Sequence, residues 1–481
     1  MKSLAKNSLY NIIYQALMLV FPMITSMYVS RIILEDGVGK VAYAQNIVSY
    51  FTALAATGFP AYGIREIAKV SDNQKEKNKS FSEMFLLNAA ATTLAAALYI
   101  VLIFFVPAMK NNLYLYLSTG LLIILNYANI DWLYQGLEEY EYIMKRSCIV
   151  KILSLTALFL FVRSREDYVN YALITSMGTA CNNLFNIYHS RKLVKITFRN
   201  LELRRHVRPL LILTAAAFLG SIYNKIDVTM LGAMSTDSVV GYYSNAHKTI
   251  LLVETCCTAI SAVFLPRISY YYKNDRAAMN NLVEFGTKML LVITIPATVG
   301  IALLAEDTTV LFYGENFRAT GITLAVFAPL LIIRSLGNLL CYQLLISVGE
   351  EKKRLWVSAI ATIVNILLNA ALIPIWAQNG AAVASVISEL VVNGILLYFV
   401  LKIVKIRINT GFLLKTIVST LVMAVGVIAI KTEVSLLLPR IVVSLGVGIP
   451  VYFGMNCLLK NETVTALIKK AAALFLKRNS K

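Results

Sequence analysis

Of 481 residues, 58% are hydrophobic and 15% charged, and the mean hydropathy is +0.68, well outside the range of soluble globular domains. This composition excludes a soluble enzyme. It also removes the nucleic-acid reading that a formal charge of +19 would otherwise invite, because topology and anionic lipid headgroups account for that excess.

A helix crosses a roughly 30 Å hydrocarbon core with about 20 apolar residues, and such runs recur from Asn7 almost to Lys460. They predict an all-α membrane protein with about 14 transmembrane helices. In chain order the expected spans are 7–34, 38–60, 80–107, 113–136, 147–163, 168–189, 209–233, 238–265, 279–305, 319–348, 354–375, 379–401, 411–430 and 435–459. The first run is too long for a signal peptide and has no A-x-A-like end, so it is expected to be retained. The longest connection is 190–208, the longest outer loop 305–318, and no connection is long enough for a soluble domain.

The basic residues set the orientation. With the N-terminus in the cytoplasm, most of the 45 Lys and Arg fall on the inner side, Lys145, Arg146, Lys151 and the 191–208 cluster among them. The outer loops receive only a few, such as Lys40, Lys110 and Lys431. Both termini are then cytoplasmic. The six cysteines show neither an outer-loop pair nor metal-ligand spacing, so neither disulfide nor metal is expected.

The two halves repeat. "VGKVAYAQN" at 38–46 answers "VVGYYSNA" at 239–246, Pro60 answers Pro266, and "GLEE" at 136–139 answers "VGEE" at 348–351, in the same order. Two six-helix lobes in parallel repeat, 1–200 and 201–405, follow from this spacing, with helices 13 and 14 at 406–460 outside the repeat. Such lobes suit alternating access around a site at their interface. The tail, 461–481, places Val464, Leu467, Ile468, Ala471, Leu474 and Phe475 at helical spacing, as a helix lying on the inner leaflet would.

Ionised groups inside spans are costly and face a bundle interior or an aqueous cavity. The in-span cations are Arg31, Lys225, Lys248, Lys288 and Arg334, with Asp227, Glu254 and Glu389 at comparable depth. Four of the five cations lie in the second lobe, a cluster that would draw an anion inward. Lys225 and Asp227 are two residues apart and point to opposite sides of their helix, so each needs its own partner or water. Tyr14, Gln15 and Tyr28 in span one, Tyr43 and Asn46 in span two, and Asn224 in span seven offer amides and phenols that suit a polyhydroxylated ligand. Each could equally bond a neighbouring helix.

Together, "NSLYNIIYQ" in span one, "GFPAYGIREIA" at 58–68, "DWLYQGLEEYEYI" at 131–143, "YNKIDVTMLG" at 223–232 and "VGYYSNAHK" at 240–248 resemble the bacterial oligosaccharide flippases. These are the O-antigen and capsule-repeat transporters of the superfamily that also contains the multidrug and toxin extruders. The resemblance runs from about residue 5 to 460. It implies a protein of the bacterial cytoplasmic membrane that is no enzyme, needs no cofactor, and moves an undecaprenyl-pyrophosphate-linked oligosaccharide to the outer leaflet. It implies a polysaccharide polymerase and chain-length machinery as partners. Lys225, Asp227 and Lys248 stand at motif positions, whereas Arg31, Lys288 and Arg334 join the expected pyrophosphate site on charge and depth. Asp227, Glu254 and Glu389 are the candidates for ion coupling. The rival within the superfamily is a cation-coupled drug antiporter, whose cationic cargo would favour an acidic cavity.

Overall fold

The computed structural model describes residues 4–56, 58–406 and 409–466, and every regular element among them is helical. The first half is built from α1 (Leu4–Ala56), α2 (Gly58–Lys69), α3 (Gln74–Phe105), α4 (Pro107–Asn111), α5 (Leu113–Ile124), α6 (Asp131–Gly136), α7 (Tyr140–Phe161), α8 (Tyr168–Ser190) and α9 (Arg204–Met234). There follow α10 (Asp237–Ala262), α11 (Leu265–Asn274), α12 (Arg276–Tyr313), α13 (Arg318–Phe327), α14 (Leu330–Leu336), α15 (Leu344–Ser347), α16 (Glu351–Leu401), α17 (Thr410–Glu433) and α18 (Leu437–Leu458). Long apolar runs become helices because lipid offers the backbone no hydrogen-bond partner, so each N–H and C=O must be satisfied within its own segment.

Among the described residues, eight helices are long and apolar enough to cross a membrane, or nine when the bent pair spanning Glu315–Phe327 and Leu330–Gln343 counts as one. Two of the eight are double. In α1 the backbone leaves helical geometry at Leu34 (φ 59°, ψ −173°), and in α16 at Ala377 (φ 48°, ψ −126°), where the sequence predicts the boundaries between spans one and two and between eleven and twelve. With those breaks, and with α7 and α8 at 22 and 23 residues, most of the expected spans fall on helical chain, whereas span four, 113–136, is interrupted at Asn129 and Ile130 between α5 and α6. Boundaries shift where caps decide them. Asn73 accepts from the Lys75 and Glu76 amides and starts α3 six residues before its expected span. At the other extreme, α12 runs on to Tyr313 and ends at Gly314 (φ 97°), so the outer loop expected at 305–318 shrinks to a tight turn.

The chain divides into two compact units, Met1–Gly241 and Tyr242–Lys481. In the first, α1 packs against α3, α5, α7, α8 and α9, over a buried aromatic cluster that includes Phe59, Tyr62, Phe81, Trp132 and Tyr134. α9 also packs on α2. It therefore groups with this unit by its contacts. In the second unit α12 packs against α13, α14 and α17, and α17 pairs with α18. Leu291, Val292, Leu304, Met423 and Tyr452 form a core there. Outward-facing Phe105, Leu414, Val425 and Leu445 are exposed, the surface that lipid covers.

The 191–203 connection is extended and pinned to one face of α3. Gln74 donates to the Leu193 carbonyl, while the amides of Lys195, Thr197 and Glu202 donate to Asn78, Ser82 and Glu83. Residues 74, 78 and 82 recur every four, so one helical stripe can hold a passing chain. Of the expected surface helix in the tail, Val464 is buried in the second core, and 467–481 lie outside the described residues.

Candidate functional site

In the first unit, Asp227 is buried and Lys225 half-buried on α9. The two helices that frame them are bridged by polar groups expected to face a sugar. Asn46 Nδ2 donates to the Lys225 carbonyl (3.2 Å) and to Thr229 Oγ1 (2.7 Å), and the Tyr50 hydroxyl lies 2.8 Å from the same Thr229 oxygen. The Tyr43 ring lies on Gly232, where any side chain would collide with it. Tyr28 donates to the Val162 carbonyl at 2.9 Å, and its ring sits edge-on to Phe159. Asn46 and the Tyr28 hydroxyl are thus engaged in helix-to-helix bonding. Asn224 and Gln15 are exposed, the Asn224 amide donating back to Gly220, and Tyr14 is half-buried against the aromatic cluster. Arg31 is exposed on α1.

In the second unit Lys248 is half-buried on α10; on the same helix the Tyr243 and His247 rings stack with Phe327 edge-on to both, and the Thr249 and Tyr313 hydroxyls pair at 2.7 Å. Arg334 has a different setting from the one expected. Its Nε donates to Glu389 Oε1 and its Nη1 to Glu254 Oε2, both at 3.0 Å, with all three side chains less than 20% exposed. Asn393 Nδ2 donates to the second Glu389 oxygen at 3.2 Å. One guanidinium between two carboxylates neutralises only one of them, so the three side chains carry one excess negative charge when all are ionised. A π-helix over Gly337–Gln343 begins three residues after Arg334, a local widening of the helix often found at functional positions. Lys288 pairs with Glu284 one turn away at 2.6 Å.

Sequence reading missed three features. Arg146 is buried and donates to Asp131 (2.9 Å) and to Asn186. Glu83 and His206 are fully buried and bonded at 2.8 Å, with Tyr62 on the other ring nitrogen and Arg205 on the carboxylate. Lys151, placed on the inner side by its expected position near the start of span five, is instead 8% exposed in the middle of α7. The physical reason is that α7 begins at Tyr140, seven residues before that span. Amphipathic Tyr140–Arg146 hid those turns from a hydropathy reading.

Residues 4–272 match the family model described as polysaccharide biosynthesis protein, and residues 145–448 the model described as lipid II flippase MurJ. Among curated relatives, a putative O-antigen transporter of Shigella dysenteriae is 23% identical over 80% of this chain and 96% of its own length. One of Escherichia coli strain K12 is 21% identical over 83% of this chain and 97% of its own. Among solved structures, the inward closed conformation of the lipid II flippase MurJ matches with a TM-score of 0.75 at 17% identity, covering 95% of this chain and 99% of that one. An inward-facing multidrug transporter of the MOP superfamily matches at 0.64 and 15% identity, covering 80% of this chain. At such identities the structural likeness speaks for the fold alone. The family models each span more than half of the chain, the lipid II flippase model among them, and this multi-pass membrane protein belongs to the polysaccharide biosynthesis protein family.

Proposed function

We propose that the protein is a flippase of the bacterial cytoplasmic membrane. It carries undecaprenyl-pyrophosphate-linked oligosaccharide repeat units from the inner to the outer leaflet by alternating access, for surface polysaccharide biosynthesis. The observation that carries this reading is the near full-length match to two O-antigen transporters by a chain with lysines inside its spans. A lipid-borne pyrophosphate needs cations at membrane depth. Lys225 in the first unit and Lys248 in the second are the principal ones, with Arg31 and Lys288 nearer the interfaces. Asp227 and the Glu254–Arg334–Glu389 group are assigned to coupling with a proton or a metal cation, since the group has one more negative charge than positive when all three are ionised. Both termini face the cytoplasm, as the distribution of Lys and Arg dictates. The protein supplies transport rather than bond chemistry, and a polymerase with its chain-length machinery consumes what it delivers.

The test is surface-polysaccharide display in a deletion strain lacking other flippases, complemented at matched protein levels. Wild type restores display. Lys225→Ala and Lys248→Ala leave lipid-linked repeat units accumulating inside. Normal display in the uncomplemented deletion overturns the proposal and directs attention to drug efflux.

A further inference from the structure

Among the described residues of the first unit, Lys151 is a buried cation that no acid holds. Its side chain is 92% removed from solvent, and among the described residues its ammonium meets only the face of the Phe21 ring, 4.5 Å from the centroid. The nearest ion pair along α7 is already engaged. Arg146, five residues earlier on α7, is bonded to Asp131, and Asn186 of α8 donates to that same carboxylate. One turn before Lys151 and on its face, the buried Ser147 hydroxyl has no hydrogen-bond partner among the described residues. A structural lysine in this position would have been paired, since isolated buried charge is among the costliest groups a membrane fold can hold. An aromatic face compensates only partly.

Depth adds the second strand of the argument. Lys151 is ten residues from the end of α7 at Phe161 and Lys225 nine from the end of α9 at Met234. At 1.5 Å per residue these are about 15 Å and about 14 Å along their helices, near the middle of a core about 30 Å thick. Both helices pack on α1, one near Phe21 and one at Asn46. Those two residues lie 13 and 12 positions on either side of the break at Leu34, so the two arms of α1 bring them to similar depth.

We propose that Lys151 is a second anion-binding residue of the first unit, resting on Phe21 when no substrate is bound and pairing with a phosphate oxygen when one is. The ligand class is a pyrophosphate carried on an isoprenoid. This inference rests on the function proposed above and extends it by assigning a residue that neither hydropathy nor motif selected.

The experiment is equilibrium binding of farnesyl pyrophosphate, inorganic pyrophosphate and farnesol to the purified full-length protein in detergent, for wild type, Lys151→Met, Lys151→Arg and Lys225→Met. Methionine keeps the length and the contact with Phe21 while removing the charge, and elution profile with thermal midpoint confirms folding. Lys151→Met is expected to weaken farnesyl pyrophosphate at least about tenfold, the scale of one charged hydrogen bond. Lys151→Arg stays within about threefold of wild type, and farnesol binding is unchanged in all. Parallel weakening of inorganic pyrophosphate assigns the site to the anion in either form; weakening of the farnesyl compound alone assigns it to the lipid-borne anion. A folded Lys151→Met protein that binds farnesyl pyrophosphate as wild type does overturns the role of Lys151 while leaving Lys225 and the flippase reading standing. Wild type with no preference for farnesyl pyrophosphate over farnesol overturns the pyrophosphate reading itself.

Discussion

Removing Arg334 isolates what the charged group of the second unit contributes to stability. The Arg334→Ala change deletes both 3.0 Å contacts and leaves Glu254 and Glu389, 13% and 12% exposed at their side chains, without their shared cation. A charged hydrogen bond contributes about 1.5–3 kcal/mol, and stripping one partner from a buried ion pair costs about 3–5 kcal/mol. Arg334 itself is 19% exposed, so water and proton uptake relieve part of the penalty and the lower end applies, about 3 kcal/mol. For a cooperative unit of roughly this size, 1 kcal/mol moves the midpoint by about 2–4 °C, giving a loss of roughly 6–12 °C. In a background with Cys148, Cys181, Cys256 and Cys457 replaced by Ser, a thiol-reactive dye reads the transition, because Cys257 and Cys341 are 4% and 3% exposed in the folded protein. The triple variant Arg334→Ala, Glu254→Gln, Glu389→Gln removes the unpaired charges as well and is expected to recover at least half of the loss. Two results refute the reasoning: a single variant within about 2 °C of wild type, or a triple variant no more stable than the single one.

Other perturbations separate packing from charge. A side chain on Gly39 would overlap the Asp237 carbonyl, and one on Gly241 the Glu35 carbonyl, so Gly39→Leu and Gly241→Leu are expected to sharply reduce folded protein in the membrane. Gly426 in α17 has open space around it, and Gly426→Ala should be neutral or slightly stabilising, by at most about 1 kcal/mol; detergent-solubilised yield and thermal midpoint check both. Glu83→Gln keeps an acceptor for the Glu202 amide but removes the charge that His206 and Arg205 share, and faster amide exchange across 195–206 is the expected result by mass spectrometry. Outside the membrane, Asp167 accepts from the Arg163 and Ser164 amides and the Ser164 hydroxyl, and these bonds hold its carboxyl below the usual aspartate range. A folded-state value below the unfolded one gives stability that is complete above the ordinary aspartate value and disappears as pH falls through the lowered one. The 163–170 loop should therefore loosen in wild type only as pH falls below the ordinary aspartate value, and Asp167→Asn should loosen it already at neutral pH.

Much of the architecture was legible because a bilayer imposes one rule on every span. Apolar length located the helices, and the gap between the expected spans 7–34 and 38–60 marked the break that the backbone makes at Leu34. What hydropathy could not reach was chain whose polarity is paired inside the protein. Arg146 looks like an inner-loop residue in "YIMKRS" until Asp131, fifteen positions earlier, and Asn186, forty later, are seen to enclose it. His206 appeared to belong to a basic linker, yet its partner Glu83 lies 123 residues away on α3. The residue types of the candidate sites were readable for the same reason that their pairings were not. An ionised group within a span declares its cost locally, whereas its compensation is set by helix packing over separations of 55 residues for Glu389 and 80 for Glu254.

That distinction also sorts the cations by role. Arg334, Lys288 and Arg146 each have a carboxylate within 3.0 Å, so an incoming phosphate would have to displace a partner from any of them. Lys151 offers an ammonium that no acid among the described residues holds, and exchanging an aromatic face for a phosphate oxygen gains Coulomb energy where the surroundings screen it least. Selection for fold stability alone would favour replacing such a lysine with leucine or methionine, which would fill the same volume against Phe21 without a buried charge. Its presence at mid-membrane depth is therefore better explained by an anion that visits the site than by any contact the resting structure makes.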